Sequence, residues 1–215
     1  MGGAEALRAV IFDLWNTIAE WPEQVWAETQ PEVAAQLGLS HEEFAARWYG
    51  DVSALRETGP IADVLALFEA SPEAVEQIVA LRRKVTRQGL VPVPGAVETI
   101  AALRKRGLKI GLITVCSEDV VALWPETDFQ GLFDVEVFSA KVGLRKPDPR
   151  IYRLALDQLG VEPDEAVFVG DGANDELAGA ERVGMTAVGL EAPNGELGDW
   201  PGLRIRALPE LLELV

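Results

Sequence analysis

The stretch Ala9-Val10-Ile11-Phe12-Asp13-Leu14-Trp15-Asn16-Thr17 constrains the fold more than any other part of the chain. An unbroken apolar run ends in one carboxylate and then gives way to a short polar turn. Val10, Ile11 and Phe12 read as a strand buried on both faces, the pattern of a parallel sheet covered by helices on either side. Asp13 then stands at the carboxyl end of that strand, where open α/β sheets gather their ligands. A carboxylate in that position is a nucleophile, a metal ligand or both, or it merely starts the turn.

The chain has 215 residues, 48% hydrophobic and 25% charged, so it can bury a full core as one domain with a large insertion or as two small domains. A formal net charge of −16 argues against broad contact with nucleic acid or an anionic lipid surface. An anionic substrate would need a local cation or basic side chain to enter. Cys116 is the single cysteine, which excludes an internal disulfide framework and suits a reducing compartment. The opening Met1-Gly2-Gly3-Ala4-Glu5-Ala6 lacks a basic signal region, and Ala6 stands where myristoylation wants Ser or Thr. No stretch is apolar for long enough to span a bilayer, and a cytoplasmic protein is expected.

Residues 19–89 change character to helical periodicity. Ser40-His41-Glu42-Glu43 is a capping-box pattern, and Ser71-Pro72-Glu73 opens a second helix with a cap residue and Pro at the first helical position. Trp15, Trp21, Trp26 and Trp48 crowd this first part of the chain. At helical spacing they read as core, with one or two free to line an apolar pocket. His41, the sole histidine, reads as exposed and structural. From Val91 the pattern becomes strand and helix in turn: a helix after Pro94-Gly95, a strand over 109–114, another over 135–139, a helix from Pro149 to Gly160, a strand over 166–169, a helix ending at Gly184, a strand over 186–190 and a terminal helix over 207–215. Such alternation means parallel strands joined by right-handed crossovers, a doubly wound α/β core. The core takes residues 1–18 and 90–215, and 19–89 form an inserted helical subdomain.

Asp13, Thr114 and Asp171 end predicted strands, and Lys146 lies in the loop Gly143-Leu144-Arg145-Lys146-Pro147-Asp148-Pro149. If the strands are neighbours, all four meet in one crevice. Converging carboxylates repel unless a cation intervenes, and oxygen-only ligands favour Mg²⁺. With Phe12-Asp13-Leu14-Trp15-Asn16-Thr17, Ile113-Thr114, the Lys146 loop and Val169-Gly170-Asp171 through Ala180 in this order, the chain resembles the haloacid dehalogenase (HAD) superfamily with a helical cap inserted after the first motif. The resemblance covers essentially the whole chain. It implies a Rossmann-like fold and a Mg²⁺-dependent phosphatase of small phosphorylated metabolites, with Asp13 attacking phosphorus to form an aspartyl-phosphate. Thr114 and Lys146 would hold the phosphoryl oxygens. Trp15, Asn16, Thr17 and Val115 would line the substrate, and Asp13, Asp171 and the Trp15 carbonyl would hold the metal. The second acid of the last motif is Asp175 by spacing from Asp171, the reading preferred slightly, or Glu176 by counting back along the helix from Gly179 and Gly184.

One position departs from the pattern. Phosphatases of this superfamily usually carry a second Asp where this chain has Trp15, and that acid protonates the leaving oxygen and later activates water. General acid–base catalysis contributes about 10²–10⁴-fold, and Trp cannot supply it. The alternatives are a 2-haloacid dehalogenase, whose halide leaves without a proton, or a degenerate binding or regulatory protein. Against the dehalogenase stand Thr114-Val115, where those enzymes have Ser-Asn, and the presence of Asp171.

Overall fold

Strand β1 (Ala9–Phe12) is fully buried and lies at the centre of a six-stranded sheet. The structure, a computed structural model, describes residues 7–192 and 196–215; the opening Met1–Ala6, weighed above for targeting signals, lies outside them. The other strands are β2 (Lys109–Thr114), β3 (Val135–Phe138), β4 (Ala166–Gly170), β5 (Thr186–Leu190) and β6 (Leu203–Ile205), and the spatial order is β3-β2-β1-β4-β5-β6. Every pairing is parallel. Phe12 sits beside Leu112 on one side and Val169 on the other, so the residues that follow β1, β2 and β4 leave the sheet at one edge. The strand order reverses between β1 and β4, which opens the crevice where such sheets bind ligands.

Side chains of β1 alternate between two cores, as a strand's two-residue period requires. Val10 and Phe12 face one cluster with Ile100 and Leu103 of α6 (Ala96–Lys105); Ala9 and Ile11 face another with Ile151, Tyr152 and Leu156 of α9 (Pro149–Leu159) and Leu177 of α10 (Glu176–Val183). This two-faced burial explains the unbroken apolar run read from the sequence.

Between β1 and α6 the chain forms α1 (Glu23–Gln36), α2 (His41–Tyr49), α3 (Ser53–Thr58), α4 (Ile61–Ala66) and α5 (Pro72–Gly89). These helices bury their own cluster, including Trp26, Val33, Phe44, Trp48, Leu65 and Ile78. The two ends of the segment meet: Ala19 bridges Pro92, and the Val93 N–H donates to the Ile18 carbonyl at 2.9 Å. The Ser40–Glu43 capping box is formed, and Ser71 caps α5. Trp26 and Trp48 are core residues of this segment, whereas Trp15 and Trp21 are half-buried. His41 is exposed.

Two features of the last part of the chain differ from the sequence reading. Strand β6 was not expected, because Leu203-Arg204-Ile205 is short and two of its residues are exposed. The tail expected to be one helix is a 3₁₀ turn over Leu208–Glu210, with Pro209 in its first turn, followed by the short α11 (Leu211–Leu214). Among the described residues no helix is long and apolar enough to cross a membrane.

Candidate active site

Asp13 leaves β1 with its N–H bonded to the Val169 carbonyl of β4 at 2.8 Å, which anchors the carboxylate at the point where the strand order reverses. The next residues fold into a tight turn: the Ile18 and Ala19 N–H groups donate to the Leu14 carbonyl at 3.0 and 2.9 Å. Asn16 lies in the left-handed region at φ 57°, a conformation sparsely populated by residues with a Cβ. Its side-chain oxygen accepts from the Trp21 N–H at 3.2 Å, joining the turn to the start of the helical segment. Thr17, buried, donates its hydroxyl to Asp13 Oδ2 at 3.2 Å.

Lys146 comes from the loop before α9. It is buried, and its ammonium donates to Asp13 and, at 2.5 Å, to Glu176 Oε2. Asp171 follows β4, and its Oδ1 accepts from the Ala173 N–H at 3.0 Å. Oxygens of Asp13, Asp171 and Glu176 lie within 4.8 Å of one another, all three residues buried. Gly170 permits this, because a Cβ there would overlap the Glu176 carboxylate. The structure therefore brings Glu176 into the cluster and leaves Asp175 exposed outside it, against the slight preference for Asp175. The reason is local: Asn174 and Asp175 both adopt left-handed backbone angles, so α10 begins only at Glu176.

Three carboxylates facing one ammonium leave an excess of negative charge. Burial pushes the Glu176 carboxyl up to about 8; Lys146 opposes this, while Asp13 and Asp171 add to it. Burial likewise raises Asp13, with Lys146 pulling the other way. For Lys146, burial disfavours the charge, but Asp13 and Glu176 outweigh it and hold the ammonium above its ordinary value.

Thr114 is fully buried, and its hydroxyl has no hydrogen-bond partner among the described residues. The loop beyond it is fixed by Ser139, whose hydroxyl accepts from the Cys116 N–H at 2.8 Å and donates to the Cys116 carbonyl at 3.1 Å. Burial pushes the Cys116 thiol up to about 12, which leaves it unreactive.

A cleft of about 320 Å³ exposes Asp13, Lys146, Asp171 and Glu176 together with Trp15, Val115 and Glu57. Glu57, on α3, is the residue that sequence reading missed. No local signal marks it, since only packing carries α3 to this loop. Its carboxylate accepts from Arg56 at 3.0 Å and from Arg145, the neighbour of Lys146, at 2.8 Å. A second chamber of about 260 Å³ shares Trp15, Trp21, Glu57 and Val115 with the cleft. A larger cavity of about 620 Å³ lies against Pro94, Glu191 and Leu208, but none of the four clustered residues lines it. Size does not mark the site here; converging charge does.

This constellation at the crevice of a doubly wound sheet is that of a hydrolase built around a strand-end aspartate. Residues 7–184 match the haloacid dehalogenase-like hydrolases, and the chain belongs to that family. It is 31% identical to Phosphatase MT3486 of Mycobacterium tuberculosis over 194 residues, covering 85% of this chain and 86% of that one. It is 40% identical to a phosphoserine phosphatase of Thermus thermophilus over 83 residues, covering 37% of this chain and only 32% of the relative. The solved structure of a HAD phosphatase from Thermococcus onnurineus matches with a TM-score of 0.72 at 28% identity, covering 97% of each chain.

Proposed function

We propose that the protein is a Mg²⁺-dependent phosphatase of small phosphorylated metabolites, working in the cytoplasm through an aspartyl-phosphate on Asp13, with the helical segment 19–89 as a cap over the site. The observation that carries this reading is the buried cluster of Asp13, Asp171 and Glu176 around Lys146. An oxygen-only donor set with excess negative charge fits a hard divalent cation. Asp13, Asp171, Glu176 and the Trp15 carbonyl would hold Mg²⁺, which neutralises charge on phosphoryl oxygens when bound. The relatives that are phosphatases support the same class of reaction.

In this reading Asp13 attacks phosphorus, and Thr17 and Lys146 orient its carboxylate. Lys146 meets the charge of the incoming phosphate, which an acidic protein must otherwise repel. The Thr114 hydroxyl, without a partner among the described residues at a cost of about 1–3 kcal/mol, does not line the cleft, and in this reading it turns to a phosphoryl oxygen once substrate is bound. Trp15 supplies no proton, so esters with poor leaving groups turn over slowly. The intact acidic cluster favours phosphoryl transfer over halide displacement, which needs no cation.

Hydrolysis of 4-nitrophenyl phosphate tests the proposal. Turnover with Mg²⁺, its loss in EDTA and its loss in Asp13→Asn are expected. Halide release from 2-chloropropionate without added metal, with 4-nitrophenyl phosphate untouched, overturns it.

A further inference from the structure

The chamber beside the catalytic cleft is walled by rings. Trp15, Trp21, Trp26, Trp48 and Tyr49 all line it. Trp15 and Trp21 meet edge to face, with centroids 5.0 Å apart at 82°, and both belong to the cleft and the chamber. Trp26 is fixed by an indole N–H donated to the Tyr49 hydroxyl at 2.7 Å. Trp26 and Trp48 are almost fully buried beneath Arg82, and Arg56 lies over Trp48 and Tyr49, so the flat ring surface left for a planar group is that of the half-buried Trp15 and Trp21. The chamber's volume of about 260 Å³ falls just below the range of about 300–1,000 Å³ typical of drug-sized ligands, and so suits one small ring system.

On the part of the wall shared with the cleft Glu57 is the one carboxyl group, and in the chamber burial makes the Tyr49 hydroxyl a weaker acid than usual. Among the described residues, the carboxyl groups on the cleft besides the core cluster come down to Glu57, and Arg56 and Arg145 already occupy its two oxygens. Arg56 and Arg82 also line the chamber, together with Glu23, which is exposed. A leaving oxygen that departs here takes its bonding electrons without receiving a proton.

We propose that the substrates are phosphate monoesters of a phenol-type hydroxyl, with the aromatic leaving group seated in this chamber. The inference rests on the phosphatase reading above. Asp13 attacks phosphorus, the bond from phosphorus to the aryl oxygen breaks, and the electron pair leaves with a phenolate, a far weaker base than an alkoxide, which takes its proton from water after it departs. Water then attacks phosphorus, the bond to Asp13 breaks, phosphate is released, and the water's proton passes to phosphate or solvent. With no base at position 15 the second step is slow and common to all substrates.

The test compares substituted phenyl phosphates, benzyl phosphate and acetyl phosphate on the intact protein with Mg²⁺. Across the phenyl series kcat/KM falls steeply as the phenol becomes less acidic, while kcat stays constant and a stoichiometric burst of phenol precedes turnover. Benzyl phosphate, aromatic but leaving as an alkoxide, is at least about 10²-fold slower in kcat/KM than phenyl phosphate. Trp15→Asp narrows that gap to within about ten-fold, and Trp21→Ala raises KM for phenyl phosphate about ten-fold more than for acetyl phosphate. Equal kcat/KM for benzyl and phenyl phosphate means that another group, such as Glu57, protonates the leaving oxygen. Turnover of acetyl phosphate with phenyl esters rejected means that the leaving group is not aromatic. Either result overturns this inference and leaves the phosphatase reading intact. No turnover of any ester, with no phosphoryl group detected on Asp13 by mass after exposure to acetyl phosphate, overturns both.

Discussion

Two buried charge clusters lie in this molecule, and they are built to opposite rules. At the joint between the helical segment and the core, Arg82 of α5 meets Asp119 of α7 (Glu118–Leu123) at 3.0 Å, with Arg82 5% and Asp119 6% exposed. Arg82 also donates to the Ser117 hydroxyl at 2.7 Å and lies over the Trp26 and Trp48 rings, while Thr86 donates to Asp119. One cation meets one anion. Burial would raise the Asp119 carboxyl, but Arg82 and the hydrogen bonds of Ser117 and Thr86 outweigh it and leave it below its ordinary value. In the candidate cleft three carboxylates share one lysine, and Asp13 and Glu176 are raised instead. A balanced cluster calls for no further ion and serves the fold, even though the Arg82 Nε has no hydrogen-bond partner among the described residues. An unbalanced one invites a further cation, and this is the physical mark of the candidate site.

Substitutions on each side should sort the two clusters by opposite effects. Asp13→Asn lowers phosphatase activity by about 10³-fold or more, as loss of a nucleophile does. Without added metal it nevertheless leaves the melting temperature unchanged or raised, since it relieves the charge excess. A large fall in melting temperature breaks the comparison. Asp119→Ala strands a buried guanidinium and costs about 3–5 kcal/mol. For a chain of this size that is about 6–20 °C in melting temperature. The paired change Arg82→Met with Asp119→Leu recovers most of it. No recovery in the double variant means that the pair does more than balance its own charge.

The contrast also explains what could be read without the structure. Strands β1, β2 and β4 were visible because burial on both faces demands continuous apolar runs, and Asp13, Thr114 and Asp171 were visible because each ends such a run. The choice between Asp175 and Glu176 was not, since it turns on two left-handed residues that delay the start of α10. Arg82, Asp119 and Glu57 were silent for a different reason. Each acts through a partner far along the chain, and ordinary helical spacing conceals the pairing until the segment is docked.

Metal removal sharpens the comparison further. In the metal-free fold Glu176 titrates near 8 against about 4.5 in an unfolded chain, so the folded state holds the extra proton between these values. Stability without metal therefore falls as pH rises from about 4.5 to about 8. Mg²⁺ prefers the deprotonated cluster, so the stabilisation it provides grows over the same window. At a hundred-fold excess over Kd it reaches about 2.7 kcal/mol, or about 5–10 °C. Melting curves in Mg²⁺ and in EDTA across that range check this, and a gap that ignores pH counts against a cation among these carboxylates.

The smallest effect comes from a control that joins the same two regions. Arg87 of α5 bonds Glu126 at 2.6 Å, close along the chain to the buried pair, but both side chains are more than half exposed. Water and salt screen such a pair, and Arg87→Ala should cost about 0–1 kcal/mol, a shift of a few degrees at most. The cost should shrink further in high salt, whereas that of Asp119→Ala should barely change, because a buried pair is poorly screened. If Arg87→Ala proved as damaging as Asp119→Ala, the number of ionic links across the joint, rather than the burial of one of them, would be what holds the helical segment in place.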